Sequence, residues 1–146
     1  MKLMLKEPGI DNSRMIEEEK QKNVPISSHL SILVVDDNQE TTTMLSKYFK
    51  AKGFRPTVTN DPMEGLQFIR KEKFDVILLD VMMPVISGIG IIEILAGEDS
   101  LKDQNIFIFS GANLPQIQLT NLLRRDGING FLKKPIELSE IYKILS

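Results

Sequence analysis

The chain contains no cysteine and no tryptophan, and it has a single histidine, His29, among 146 residues. Without cysteine, disulfides, thiolate metal centres and cysteine nucleophiles are excluded. One histidine cannot build a multi-histidine metal site. Any cation must therefore be held by oxygen ligands, which favours magnesium, manganese or calcium. Charge of one sign is lacking too: 18 lysines and arginines face 20 aspartates and glutamates, a formal net charge of -2. That balance leaves no broad basic field for gripping nucleic acid through its phosphates. No apolar run approaches the roughly 20 residues needed to cross a bilayer. The start, Met1-Lys2-Leu3-Met4-Leu5-Lys6, is broken by charge too early for a secretory core. The expectation is a cytoplasmic protein with no membrane insertion and no direct nucleic-acid contact. With 42% hydrophobic and 26% charged residues, the length suits one compact domain with a real core.

Two regions differ in pattern. Residues 1–29 are polar, with Gly9, Pro25 and the charged run Glu17-Glu18-Glu19-Lys20-Gln21-Lys22. Their few apolar residues make no sustained stripe, so this segment is expected to be a flexible extension, with His29 a solvated residue at its end. From residue 30 onward, short apolar runs alternate with amphipathic ones. Ile32 to Asp36, Pro56 to Thr59, Phe74 to Leu79, Ile106 to Phe109 and Gly130 to Lys133 read as strands. Gln39 to Lys52 reads as a helix with Met44, Leu45, Tyr48 and Phe49 inward and Gly53 as its stop. Asp61-Pro62 opens a second helix, with Asp61 as N-cap and Met63, Leu66 and Ile69 on its core side; Phe68 falls off that stripe. Further helices are read at Ile89 to Ala96, Leu114 to Arg125 and Leu138 to Leu145, the last with Leu138, Ile141, Tyr142 and Leu145 inward. Strands and helices in strict alternation predict an α/β fold, a doubly wound five-stranded parallel sheet with helices on both faces.

Ligands of such sheets bind at the carboxyl edge of the strands. The residues predicted there are Asp36, Asp37, Asp80, Ser110 and the segment Lys133-Lys134-Pro135. Three carboxylates in one crevice repel one another unless a hard cation or a proton neutralises them. A magnesium ion could be held by Asp37, Asp80 and a backbone carbonyl just beyond Asp80, with Asp36 holding a coordinated water. A lysine and a hydroxyl on the same edge suit an added anion. Together these groups suggest phosphoryl transfer to a carboxylate.

Asp36-Asp37, Asp80 followed by Met83-Pro84 and Gly88, Ser110, and Lys134-Pro135 resemble, in order and spacing, the receiver domain of two-component response regulators. The resemblance covers residues 30–146. It implies a flavodoxin-like, receiver-type sheet of strand order 2-1-3-4-5, with Asp80 as phosphoacceptor and Asp36 and Asp37 as magnesium-binding acids. Manganese is the alternative ion. It also implies that the Met82 carbonyl is the backbone metal ligand, that Ser110 follows the phosphoryl group and that Lys134 pairs with it. Phe131 matches the aromatic that moves with Ser110, and Pro135 is expected to follow a cis peptide bond. The implied partners are a histidine kinase or histidine phosphotransfer protein and a downstream protein effector, and the resemblance allows a phosphorylation-linked homodimer. Activity would be limited to self-catalysed phosphoryl transfer and slow autodephosphorylation, not conventional turnover. Because only Ile136 to Ser146 come after Pro135, output is expected through protein contacts, with Ile117 or Leu119 as candidate docking residues.

Plainer roles remain open for several of these residues. Asp36 or Asp37 alone could cap the following helix, Ser110 could start a turn with Gly111, and Phe131 could be an ordinary core aromatic. Asp75 and Asp103 end no strand and read as surface acids. The family's Met-Pro-x-Met-Asp-Gly is here Met83-Pro84-Val85-Ile86-Ser87-Gly88, which loses an acid that helps shape the loop. Met82 and Ala112 occupy the positions, each two residues past Asp80 and Ser110, that in the resembled family bias the hydrolytic water; both are apolar and offer it no hydrogen-bond partner. Two further readings are a receiver-like binding scaffold that takes no phosphate, and an aspartyl-nucleophile phosphatase. The second needs a general acid where Met82 stands.

Overall fold

The computed structural model describes residues 3–5, 30–83, 87–111 and 114–145. Their strands are β1 (Leu3–Leu5), β2 (Ser31–Val35), β3 (Arg55–Thr59), β4 (Val76–Asp80), β5 (Ile106–Ser110) and β6 (Ile128–Lys133). Their helices are α1 (Gln39–Ala51), α2 (Pro62–Lys71), α3 (Gly88–Gly97), α4 (Gln116–Leu123) and α5 (Leu138–Leu145). The strands form one sheet in the order β1-β6-β5-β4-β2-β3. Strands β2 to β6 are mutually parallel. Counted from Ser31, their order is the expected 2-1-3-4-5.

β1 is an addition to that plan. It pairs antiparallel with β6, with Leu3, Met4 and Leu5 opposite Leu132, Phe131 and Gly130. The expectation of a flexible extension over residues 1–29 did not foresee it. An apolar triplet between Lys2 and Lys6 is too short for periodicity to reveal, and only the free edge of β6 makes it a strand. The charged run at 17–22 and His29 lie outside the described residues.

Side chains alternate across the sheet and divide the core into two layers. Leu33, Val35, Ile77, Leu79, Ile106 and Ile108 face one way, onto Leu66 and Ile69 of α2, Ile91 and Leu95 of α3, and Leu119 and Leu122 of α4. Ile32, Val34, Val76, Leu78, Phe107 and Phe109 face the other way, onto Leu45 and Phe49 of α1 and Ile141 and Leu145 of α5. Every residue of β4 and β5 is buried, as expected for central strands covered on both faces.

Local signals set the helix ends. Asn38 caps α1 by accepting from the Thr41 N–H at 3.0 Å, and Gly53, at φ 87°, turns the chain out of the helix in a left-handed conformation. Asp61 caps α2 by accepting from Met63 N–H at 3.0 Å, with Pro62 in the first turn. Ser87, where the family carries an acid, caps α3 by accepting from Gly90 N–H at 3.2 Å. The lost acid is thus replaced by a shorter capping group; residues 84–86 lie outside the described residues.

Some face assignments need correction. Met44 and Met63, read as core residues, are 41% and 42% exposed, and Thr42 is buried beside Leu45 and Phe49 instead. The two methionines stand at the edges of their stripes, where helical periodicity cannot say how far the sheet reaches. Tyr142, read as inward, is exposed; the Lys52 ammonium lies 5.6 Å from its ring centroid and 5.8 Å from that of Tyr48. Phe68, off the stripe, is half-buried and packs against the layer under α2, α3 and α4. Leu119 is buried, so of the two docking candidates only Ile117 is available, at 74% exposed. Asp75 and Asp103 are exposed, as expected.

Candidate functional site

Parallel pairing brings the chemistry to one edge. Val35 pairs with Leu79, Asp80 with Phe109, and Ser110 with Lys133. The chain therefore emerges from β2 as Asp36-Asp37, ends β4 on Asp80, ends β5 on Ser110 and leaves β6 through Lys134, all at the carboxyl ends. Asp36, Asp80 and Ser110 are buried, while Asp37 is exposed at the rim. One carboxylate oxygen from each of Asp36, Asp37 and Asp80 lies within 4.8 Å of the others.

The Lys134 ammonium enters this cluster. It lies 2.7 Å from Asp36 Oδ2 and 3.1 Å from Asp80 Oδ2, and 5.1 Å from the Phe109 ring centroid. Its backbone N–H donates to Ser110 O at 2.9 Å, and the Lys134–Pro135 peptide bond is cis. The Met82 N–H donates to Asp80 Oδ1 at 2.9 Å. Asp36 is held on three sides: its N–H donates to Thr59 O at 3.1 Å, its Oδ1 accepts from Asn38 N–H at 2.8 Å, and its carbonyl accepts from the Asn60 amide at 2.8 Å.

Electrostatics follow from burial. Burial pushes the Asp80 carboxyl from 3.8 up to about 6; Met82 N–H opposes this, Asp36 adds to it, and Lys134 opposes it. For Lys134, burial works to lower the pKa, but the nearby Asp36 and Asp80 carboxylates outweigh it and hold the ammonium above the ordinary lysine value.

The donor set fits a hard cation. Asp36 Oδ2 is buried and, although close to Lys134, accepts no aligned hydrogen bond. Three carboxylates that each bring an oxygen to one point form an all-oxygen site of the kind magnesium and calcium take. Met82, the expected carbonyl donor, is 50% exposed at the mouth of the site.

Of the proposed switch residues, Phe131 is buried among Leu119, Leu122 and Ile128. It lies opposite Ile108 in the ladder, so Ser110, two residues on, shares its face of the sheet. Ala112 lies outside the described residues. Sequence reasoning missed Asn60, Thr42 and Ser87. A signal for Ser87 was present, as a hydroxyl directly before a helix. Asn60 directly follows a strand neighbouring β2, and that adjacency is visible only once the strand order is known.

A doubly wound parallel sheet carrying three aspartates, a hydroxyl and a lysine on its carboxyl edge defines the receiver class of signalling domains. The chain belongs to the response regulator receiver domain family, whose model matches residues 32–146. That family serves phosphorylation-based signalling. The chain is 32% identical over 119 residues to the transcriptional activator protein PfeR of Pseudomonas aeruginosa, a match covering 78% of this chain and 37% of PfeR. The chain thus spans well under half of that relative. Among solved structures, the Vibrio cholerae chemotaxis protein CheY4 superposes with a TM-score of 0.69 at 26% identity, covering 80% of this chain and 96% of that one. The receiver domain of a Pseudomonas aeruginosa sensor histidine kinase superposes with a TM-score of 0.66 at 27% identity, covering 80% and 94%; it holds a magnesium ion in its active site cleft. Among the described residues, no helix is long and apolar enough to cross a membrane.

Proposed function

We propose that this chain is a cytoplasmic signalling receiver that accepts a phosphoryl group on Asp80 from a phosphohistidine donor and signals through protein contacts. The observation that carries this reading is the Asp80 carboxylate itself, buried at the end of β4 with the Lys134 ammonium at 3.1 Å and two further acids close by. Oδ1 accepts from the Met82 N–H and Oδ2 from the Lys134 ammonium; as the ammonium turns to the incoming phosphoryl oxygens, Oδ2 forms the new bond. That oxygen attacks phosphorus, the P–N bond to the donor imidazole breaks, and its electron pair stays with the departing imidazole. The product is an acyl phosphate on Asp80. Lys134, already between Asp36 and Asp80, is placed to pair with the phosphoryl oxygens, and Ser110 to donate to one of them. Magnesium, or manganese, held by Asp37, Asp80 and the Met82 carbonyl, with Asp36 acting through water, would offset the negative charge gathered around the transferring group.

The chain's own residues also limit the fate of the acyl phosphate. Met82 cannot relay a proton, so an aspartyl phosphatase would lack its general acid, and hydrolysis of the phosphorylated form is slow. Signal output runs through Ser110 and Phe131 to the surface of α4, β6 and α5, where Ile117 is an exposed apolar contact for an effector or a second copy. The donor is a histidine kinase or a histidine phosphotransfer protein. Addition of beryllofluoride with magnesium should shift the amide resonances of Ser110, Phe131 and Lys134 together with those of α4. Shifts confined to Asp36, Asp37 and Asp80 would contradict the switch.

A further inference from the structure

Asn60 stands at the carboxyl end of β3, beside the acidic pair, and the phosphoryl-transfer reading gives it no part. Its side-chain amide has two N–H groups, and both are used. One donates to the main-chain carbonyl of Asp36 at 2.8 Å and the other to Thr42 Oγ1 at 2.9 Å. Thr42, buried in the first turns of α1, donates its own hydroxyl proton to Gln39 O at 3.1 Å. One neutral amide therefore ties the ends of β2 and β3 to the start of α1. The carbonyl it holds belongs to the peptide that joins Asp36 to Asp37, so the amide sets the plane of that peptide.

The plane matters because the two acids are supported differently. Asp36 is fixed through its N–H and its Oδ1. Asp37 is exposed at the rim, and its reach toward Asp36 and Asp80 depends on how the preceding peptide is turned. We propose that Asn60 is a positioning residue for the metal-binding acids, acting by orienting the Asp36–Asp37 peptide so that the Asp37 carboxylate faces the shared cation. This rests on the receiver reading above. It predicts an effect on cation affinity and not on the chemical step, because Asn60 touches neither the cation nor the phosphoryl group.

Titration with magnesium alone, followed by amide resonances at neutral pH, tests it in wild type, Asn60→Ala and Thr42→Val. Asn60→Ala should weaken magnesium binding about tenfold, the lower end of what outer-shell partners contribute to metal sites. Thr42→Val, which leaves the bond to the Asp36 carbonyl, should weaken it less. With acetyl phosphate as donor, Asn60→Ala should need correspondingly more magnesium for half-maximal labelling, while its rate at saturating magnesium stays within about twofold of wild type. Magnesium affinity in Asn60→Ala equal to that of a wild type that binds the ion would overturn the inference and leave the receiver reading standing. A labelling defect that persists at saturating magnesium would overturn it too. A wild type that binds no magnesium would bring down both. If Asn60→Ala does not fold, Thr42→Val carries the same comparison, and unchanged affinity there counts against the proposal.

Discussion

Asp80 carries a charge that its surroundings resist, and this links the site to stability. Its pKa in the fold, about 6, lies above the ordinary 3.8, mainly because of burial. The folded chain therefore binds that proton more tightly than the unfolded chain. The stabilising contribution is complete below about pH 3.8 and is lost as pH rises to about 6. In magnesium-free urea unfolding, stability due to this residue should fall across that window and stay level above it. Asp80→Asn should flatten the fall and stabilise the protein near pH 7 by about 1–3 kcal/mol, since it removes a desolvated charge while keeping the shape. A second prediction concerns Met82 and Ala112. Replacing both with polar residues able to orient water should shorten the acyl-phosphate lifetime by about tenfold or more, measured by loss of label after donor removal. An unchanged lifetime would remove these positions from the hydrolytic account. The clustering of Asp36, Asp80 and Ser110 was legible because each ends an apolar run, and strand ends are where a parallel sheet binds. Asn60 was not, because its role depends on β3 lying next to β2, which no local pattern states.

At the level of elements, the loop from β4 to α3 shows how tightly the site is built into the chain. A Cβ on Gly88 would lie 2.2 Å from the main-chain oxygen of Asp80. That neighbour is backbone and cannot swing aside. Gly88→Ala should therefore cost about 1–3 kcal/mol of stability and also slow phosphoryl labelling, because the strain falls on the main chain of Asp80, the proposed phosphoacceptor. Full labelling with wild-type stability would show that the loop relaxes freely. The family glycine was read from sequence, but its reason, a helix start packed onto the end of β4, became visible only in three dimensions. Helix faces were legible in part. Leu45, Phe49, Leu66, Ile69, Ile141 and Leu145 are buried as read, whereas Met44, Met63 and Tyr142 sit at stripe edges, where the extent of the partner surface decides.

For the whole molecule, the two core layers seen among the described residues are built from β2 to α5, and the family match begins at residue 32. Three residues of antiparallel pairing add little to such a core. Removing residues 1–29 should leave a folded receiver whose Tm lies within about 5 °C of the full chain, and a larger drop would make the extension part of the domain. β1 escaped sequence reading because strand formation there is imposed by the free edge of β6 and not by the triplet itself. The alternation of strands and helices, in contrast, comes from patterns repeated along the chain, which is why the elements were readable; their order in the sheet came from the family resemblance. The proposed acceptor is one oxygen of Asp80, the Oδ2 beside Lys134. Intact-mass measurement after incubation with acetyl phosphate, with and without magnesium, tests that most directly. The expected result is one added phosphoryl group in wild type with magnesium, and none without the ion or in Asp80→Asn. Equal labelling of Asp80→Asn, or no labelling of wild type with magnesium, would contradict the assignment.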